Sequence, residues 1–181
     1  MGRDATQIRI GPGTLYVAPL ASTVPTDLVT AWDAAWLALG YTDNGHEMDY
    51  TPNYNDINVE EELEPVLLVA DKRDIHWKFT MKQINAKNLQ LAENGGTITT
   101  SGGVTKFVPP ILGSEVYTMI GWQAADSKER LVIRKALQIG SINTTRQKAP
   151  NASLIPADFR VLSPGSGVEP YFHLMDSSLA A

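Results

Sequence analysis

The sequence predicts a mainly β domain, a sandwich or partly closed barrel carrying one short α-helix and a long protruding hairpin or loop. Apolar and polar residues alternate with a period of two over several short stretches. The cleanest is residues 74–83, where Ile75, Trp77, Phe79 and Met81 fall on one side of an extended chain and His76, Lys78, Thr80 and Lys82 on the other. Clusters of Gly, Pro, Asn and Asp separate these stretches, and residues 85–94 are the best helix candidate.

The elements follow in order. Leu15 and Val17 alternate with Thr14 and Tyr16 in a first strand over residues 13–18, after which Pro19 and Pro25 bound a polar loop. Residues 31–39 read as a short helix capped by Thr30, with Trp32 and Trp36 at i,i+4 spacing, or as the approach to a strand. Asp43-Asn44-Gly45 predicts a tight hairpin turn, because Asn and Gly accept positive φ, and a strand begins near His46. From residue 47 to 63 a two-faced strand is expected, with Ile57, Val59 and Leu63 opposite Asn58, Glu60 and Glu62. Residues 64–74 are expected to form a protruding loop, because Pro65 interrupts central strand pairing.

The helix over 85–94 has Asn85 as its N-cap and Gly95-Gly96 as its stop, with Ala86, Leu89 and Ala92 on nearly one side. Residues 97–105, rich in Thr, Ser and Gly, predict a hairpin or loop closed by Pro109-Pro110. Strands at 115–125 and 130–142 are joined by a turn at 126–129, and Leu131, Ile133, Leu137 and Ile139 are expected to share a face. Two last strands are expected at 159–162 and 171–174.

The chain has 181 residues, enough for one domain with a core, so residues 1–181 are expected to form a single unit with an arm at 1–12 and a tail at 175–181. Hydrophobic residues make up 43% and charged residues 19%, without long like-charge blocks, which excludes intrinsic disorder. A net charge of -5 leaves no surplus of Lys and Arg to bind phosphates by counterion release, so a dedicated nucleic-acid binder is not expected. With no cysteine, stability must come from packing or from partners. The first residues hold no apolar stretch of the signal-peptide kind, and synthesis in a cytoplasm without export is the expectation. The longest aliphatic run, residues 66–70, is far short of the roughly 20 residues of a membrane helix.

Catalytic and cofactor chemistry find no pattern. Gly11-Pro12-Gly13-Thr14 lacks the Gly-Lys-Ser/Thr ending of a phosphate loop and precedes a strand instead of opening a helix. His46, His76 and His173 stand far apart without metal-ligand spacing, and His76 belongs to the polar face of its strand. Neither a nucleophile elbow nor an opposed carboxylate pair is present: on a strand Glu60, Glu62 and Glu64 would share one face at two-residue spacing, with nothing to push their pKa values apart. That row reads either as a solvated face or as an electrostatic surface. No enzyme, metal or cofactor is therefore expected. The aromatic pairs Trp32/Trp36 and Trp77/Phe79 allow a carbohydrate- or receptor-binding β-sandwich, although core packing is their usual role. The apolar run Val66, Leu67, Leu68 and Val69, flanked by Pro65 and by charged Lys72 and Arg73, sits where burial in its own domain is least available, which points to a partner.

Five segments together, GTLYVA at 13–18, WLALGYTDNG at 36–45, FTMKQINAKNLQLA at 79–92, RLVIR at 130–134 and LIPADFRVL at 154–162, resemble the major tail proteins, or tail tube proteins, of long-tailed bacteriophages. The resemblance is greatest to the non-contractile type that infects actinobacteria. It spans about residues 13–176, although 97–110 matches no pattern of that family. It implies a tail-tube-type β-sandwich whose copies close edge to edge into hexameric rings with a continuous inner barrel, and rings that stack into the tube through which DNA is ejected without specific binding. It also implies a place in the virion tail after assembly in the host cytoplasm. The implied partners are further copies of the chain, a tape-measure protein, a tail terminator and baseplate or tip proteins, with no membrane. Within this frame Pro65, Val66, Leu67, Leu68, Val69, Lys72 and Arg73 are expected to form the stacking contact, and Glu60, Glu62 and Glu64 to face the lumen.

Overall fold

The computed structural model describes residues 8–9, 11–149 and 151–179. Of the expected arm and tail, residues 1–7, 10, 180 and 181 lie outside the described residues. Among the described residues the strands are β1 (Gly13–Pro19), β2 (Leu37–Ala38), β3 (Thr42–Ile57), β4 (Leu67–Met81), β5 (Thr97–Ser101), β6 (Val104–Val108), β7 (Thr118–Ala124), β8 (Glu129–Gln138), β9 (Ile155–Val161) and β10 (Tyr171–Met175), with one α-helix, α1 (Ala86–Ala92), and a short 3-10 helix at Ser177–Leu179. The main sheet runs β2-β1-β7-β8-β9-β4-β3, all neighbours antiparallel, and β5 and β6 form a separate ribbon.

The pivot of the sheet is β8. One edge pairs with β7, while the other is divided: Glu129–Ile133 takes β10, and Ala136–Gln138 takes β9. The sheet folds back on itself, so that Leu15, Ile120, Leu131 and Ile133 from one half pack with Trp77, Phe79, Met81, Ile155 and Phe159 from the other. This is the sandwich that the alternation in β4 predicts, and Ile75, Trp77, Phe79 and Met81 are all buried in it. Leu91 and Ala92 dock α1 onto the same core. The Asn85 side chain accepts the Asn88 amide at 2.9 Å, as an N-cap should.

The sandwich is closed at the end of β8 by a side chain. Asn94 donates to the carbonyl of Gln138 at 2.6 Å and accepts its amide at 2.9 Å, standing where a further strand would pair. A second cluster covers the outer face of β1, β7 and β8: Trp36, with Trp32, Tyr16, Val24 and Phe172, packs on Ala18, Met119 and Val132.

Local rules fail where partners intervene. Residues 31–39 form no helix; Leu37 and Ala38 pair instead with Val17 and Tyr16, which places Trp36 inside. Asn44 and Gly45 do take positive φ (56° and 75°), but β3 continues through them: the pairs Asp43↔Thr80 and His46↔Phe79 show a bulge, not a reversal. The expected face of Leu131, Ile133, Leu137 and Ile139 is likewise broken, because an extra residue in β8 between the pairs Ile120↔Ile133 and Thr118↔Ala136 reverses the alternation. Ala136 and Gln138 are therefore buried, and Ile139 is half exposed.

Candidate functional site

The largest departure from a closed domain is the β3–β4 hairpin. Its strands are 16 and 15 residues long, and only their proximal halves belong to the sandwich. Beyond the pair Tyr50↔Ile75 the two strands continue as an isolated ribbon to Ile57↔Leu67, exposed on both faces. At about 3.3 Å per residue this ribbon extends roughly 25 Å from the body. Pro52 in β3 is tolerated because β3 is an edge strand whose outer amides have no ladder to serve.

Two expectations are corrected here. The strand expected over 47–63 ends at Ile57, and residues 58–66 form the turn, closed by the Val66 amide on the Ile57 carbonyl at 3.0 Å. Glu60, Glu62 and Glu64 therefore share no strand face; they lie with Glu61 in the turn at the hairpin tip. Conversely, Leu67, Leu68 and Val69 are not in a loop but in β4, with Lys72 and Arg73 further along the same strand, and only Pro65 and Val66 remain in the turn. The break placed at Pro65 is a chain reversal, after which β pairing resumes.

The ribbon collects these residues with others that sequence reasoning missed. Tyr54 pairs with Ala70, Asn55 with Val69 and Ile57 with Leu67, so Ile57, Leu67 and Val69 share one face of the ribbon and Tyr50, Tyr54 and Leu68 the other, all between 43% and 60% exposed. The tyrosines at 50 and 54 on either side of Pro52 were the available signal. A two-stranded ribbon has marginal stability by itself, and among the described residues this one has no cover in its own chain.

At the opposite end of the same hairpin lies a groove of about 1310 Å³ between β1–β2, α1 and the β5–β6 ribbon. Its walls are mainly apolar, with Val17, Leu37, Leu89, Ile98 and Phe107 among them, and among the described residues its charged lining residues are Lys87 and Arg146. Gly40 and Gln83, which flank the root of the hairpin, also line it.

Among the described residues no segment covers the outer face of β3, β4 and β9, which carries charges in pairs. His76 meets Asp158 through Nδ1 at 2.8 Å and Asp74 through Nε2 at 3.4 Å; Arg160 binds Asp74 at 2.8 Å and Lys82 binds Asp43 at 2.7 Å. Lys78 pairs with Asp49, and this hydrogen bond holds the Asp49 carboxyl below its usual range and the Lys78 ammonium above its own. The other outer face is strapped by residues 20–36. Buried Arg130 holds that strap by donating to the carbonyls of Asp27 and Thr30 at 2.9 and 2.8 Å, with its guanidinium 5.3 Å from the Trp32 ring centroid. Gly121 is required beneath it, because a Cβ there would stand 2.5 Å from the Trp32 ring. Of the expected N-terminal arm, Arg9 forms a two-pronged ion pair with Asp126 at 2.7 and 2.8 Å, which pulls that carboxyl well below its usual range.

A search of curated proteins gives no match. A chain of the six-fold symmetrised cryo-EM structure of the anti-feeding prophage baseplate aligns over 98% of this chain and 99% of its own length, at 9% identity and a TM-score of 0.47, too distant to carry an argument. A family model described as phage tail tube protein matches residues 1–173. With nearly the whole length matched, the chain belongs to the phage tail tube protein family and is a structural component of the virion tail.

Proposed function

We propose that copies of this chain close into six-membered rings and that the rings stack into a tube through which the phage genome leaves, the β3–β4 ribbon making the contact between rings. The observation that carries this reading is the uncovered apolar ribbon: an arm exposed on both faces is stable in bulk only when a neighbour buries it. A heterologous contact of this kind does not close on itself, and so it propagates along an axis until a terminator blocks the end. A tape-measure protein inside the tube and baseplate or tip proteins at its far end complete the set of partners, and the chain itself performs no catalysis.

For the bore, the sheet offers the outer face of β3, β4 and β9, since the other face lies under the strap of residues 20–36. On that face Lys78, Lys82, Arg160 and His76 each meet a carboxylate. Phosphates sliding past these four would find each cation already held by a carboxylate of its own chain. The carbohydrate-platform alternative loses its premise, because Trp36 and Trp77 are buried and Trp32 and Trp122 are partly buried; no indole lies flat on the surface.

Electron microscopy of the concentrated protein tests the proposal. Rings and tubes are expected, with His76 and Lys78 on the bore in a reconstruction. The double substitution Leu67→Asp and Leu68→Asp should leave a folded monomer that does not polymerise, because each repeated contact would bury unpaired charge at a cost of several kcal/mol. Tubes of normal length from that variant would remove the ribbon from the stacking contact.

A further inference from the structure

We propose that the tip of the β3–β4 ribbon in one copy seats in the groove between β1–β2, α1 and β5–β6 of a second copy. This rests on the self-assembly reading above and names the receiving surface that it lacks.

Charge supports the match first. The tip, residues 58–66, carries Glu60, Glu61, Glu62 and Glu64 and no basic residue, together with Val59, Leu63 and Val66. Leu63 is 99% exposed. The groove presents the complement: apolar walls, Lys87 and Arg146, and no Asp or Glu in its lining. Among the described residues neither those two cations nor the four tip carboxylates meet an opposite charge within 4 Å in their own chain. An apolar surface rimmed by one sign of charge meets an apolar tip rimmed by the other, which fixes orientation and disfavours tip-to-tip and groove-to-groove encounters.

Placement supports it second. Gly40 and Gln83, just outside β3 and β4, line the groove, so the groove lies at the root of the hairpin whose far end is the tip. The two surfaces are separated by the length of β3, 16 residues or about 50 Å. A tip cannot reach its own groove across the paired strands, whereas a second copy displaced along the hairpin axis can supply one. The contact is head to tail, and each added copy brings a fresh groove and a fresh tip.

The absence of native cysteine allows a direct test, the paired substitutions Leu63→Cys at the tip and Thr105→Cys on the groove wall, oxidised in assembled tubes. A ladder of disulfide-linked multimers is expected from the double variant, a single linked dimer from a mixture of the two single variants, and neither from one single variant alone. Independently, Lys87→Glu with Arg146→Glu should raise the protein concentration needed for assembly about tenfold, the scale of two exposed ion pairs turned repulsive. Glu60→Lys with Glu62→Lys in the same chain should recover most of that loss. If wild-type tubes form but no ladder appears and the charge reversals leave assembly unchanged, the groove faces another partner and the proposal is wrong while the tube reading stands. If the wild-type chain forms no tubes under any condition, it is the tube reading that fails.

Discussion

Single residues in this protein act mainly through the partner that the fold brings to them. His46 begins β3 beyond the bulge at Asn44-Gly45 and lies between two indoles, its ring centroid 5.1 Å from that of Trp77 and 4.8 Å from that of Trp122. Burial pushes its pKa below the ordinary 6.5; His173 pushes the same way and Glu129 opposes. A histidine held neutral in the fold binds its proton more readily when unfolded, so its contribution is complete above about pH 6.5 and is lost as pH falls from there toward the lowered folded value. His46→Gln should therefore flatten the decline of denaturation midpoint between pH 6.5 and 5 relative to wild type; parallel declines would show that other groups set the acid sensitivity. The sequence shows the histidine but not this environment, because Trp122 comes from β7, far along the chain. Asp43-Asn44-Gly45 is a related case. Its residues specify positive φ wherever they stand, but whether the chain then reverses or bulges is decided by β4 pairing on either side of it.

At the scale of elements, those with a local signal were readable: the proximal half of β4 from alternation, α1 from its cap and glycine stop, and a hairpin or loop over 97–105 from its Thr, Ser and Gly content. The strap of residues 20–36 was not, because it has no period. It is held by Arg130, which sequence reasoning assigned only to a strand, and by indoles that stack on glycine. Arg130→Met keeps the apolar stem and removes the two donors, leaving the Asp27 and Thr30 carbonyls unsatisfied. A loss of about 1–3 kcal/mol in chemical denaturation is expected, with earlier proteolysis within 20–36 than in wild type. Unchanged stability together with unchanged proteolysis would mean that the indole packing alone secures the strap. The candidate site divides the same way. The apolar run of 66–69 was visible in the sequence, yet its place on a strand was not, since Pro65 marks an interruption without saying whether a loop or a reversal follows. The groove was invisible, for its walls come from β1, β2, α1, β5 and β6 at once.

For the molecule as a whole, one end of a long hairpin is an exposed apolar ribbon and the other end borders a groove, while the sandwich between them packs on its own core. If copies join tip to groove as proposed, the side chains of these two surfaces decide between monomer and polymer. In the proposed tube that ribbon, without apolar cover among the described residues, would also set the time course of growth. Two free subunits that meet must order an arm for a single contact, whereas a completed ring offers many prearranged seats at once, so starting a tube is harder than lengthening one. Assembly followed by light scattering should show a lag that preformed tube fragments abolish, yielding few long tubes in place of many short ones; growth without a lag at every concentration would show that pairs of subunits are as good a start as a ring.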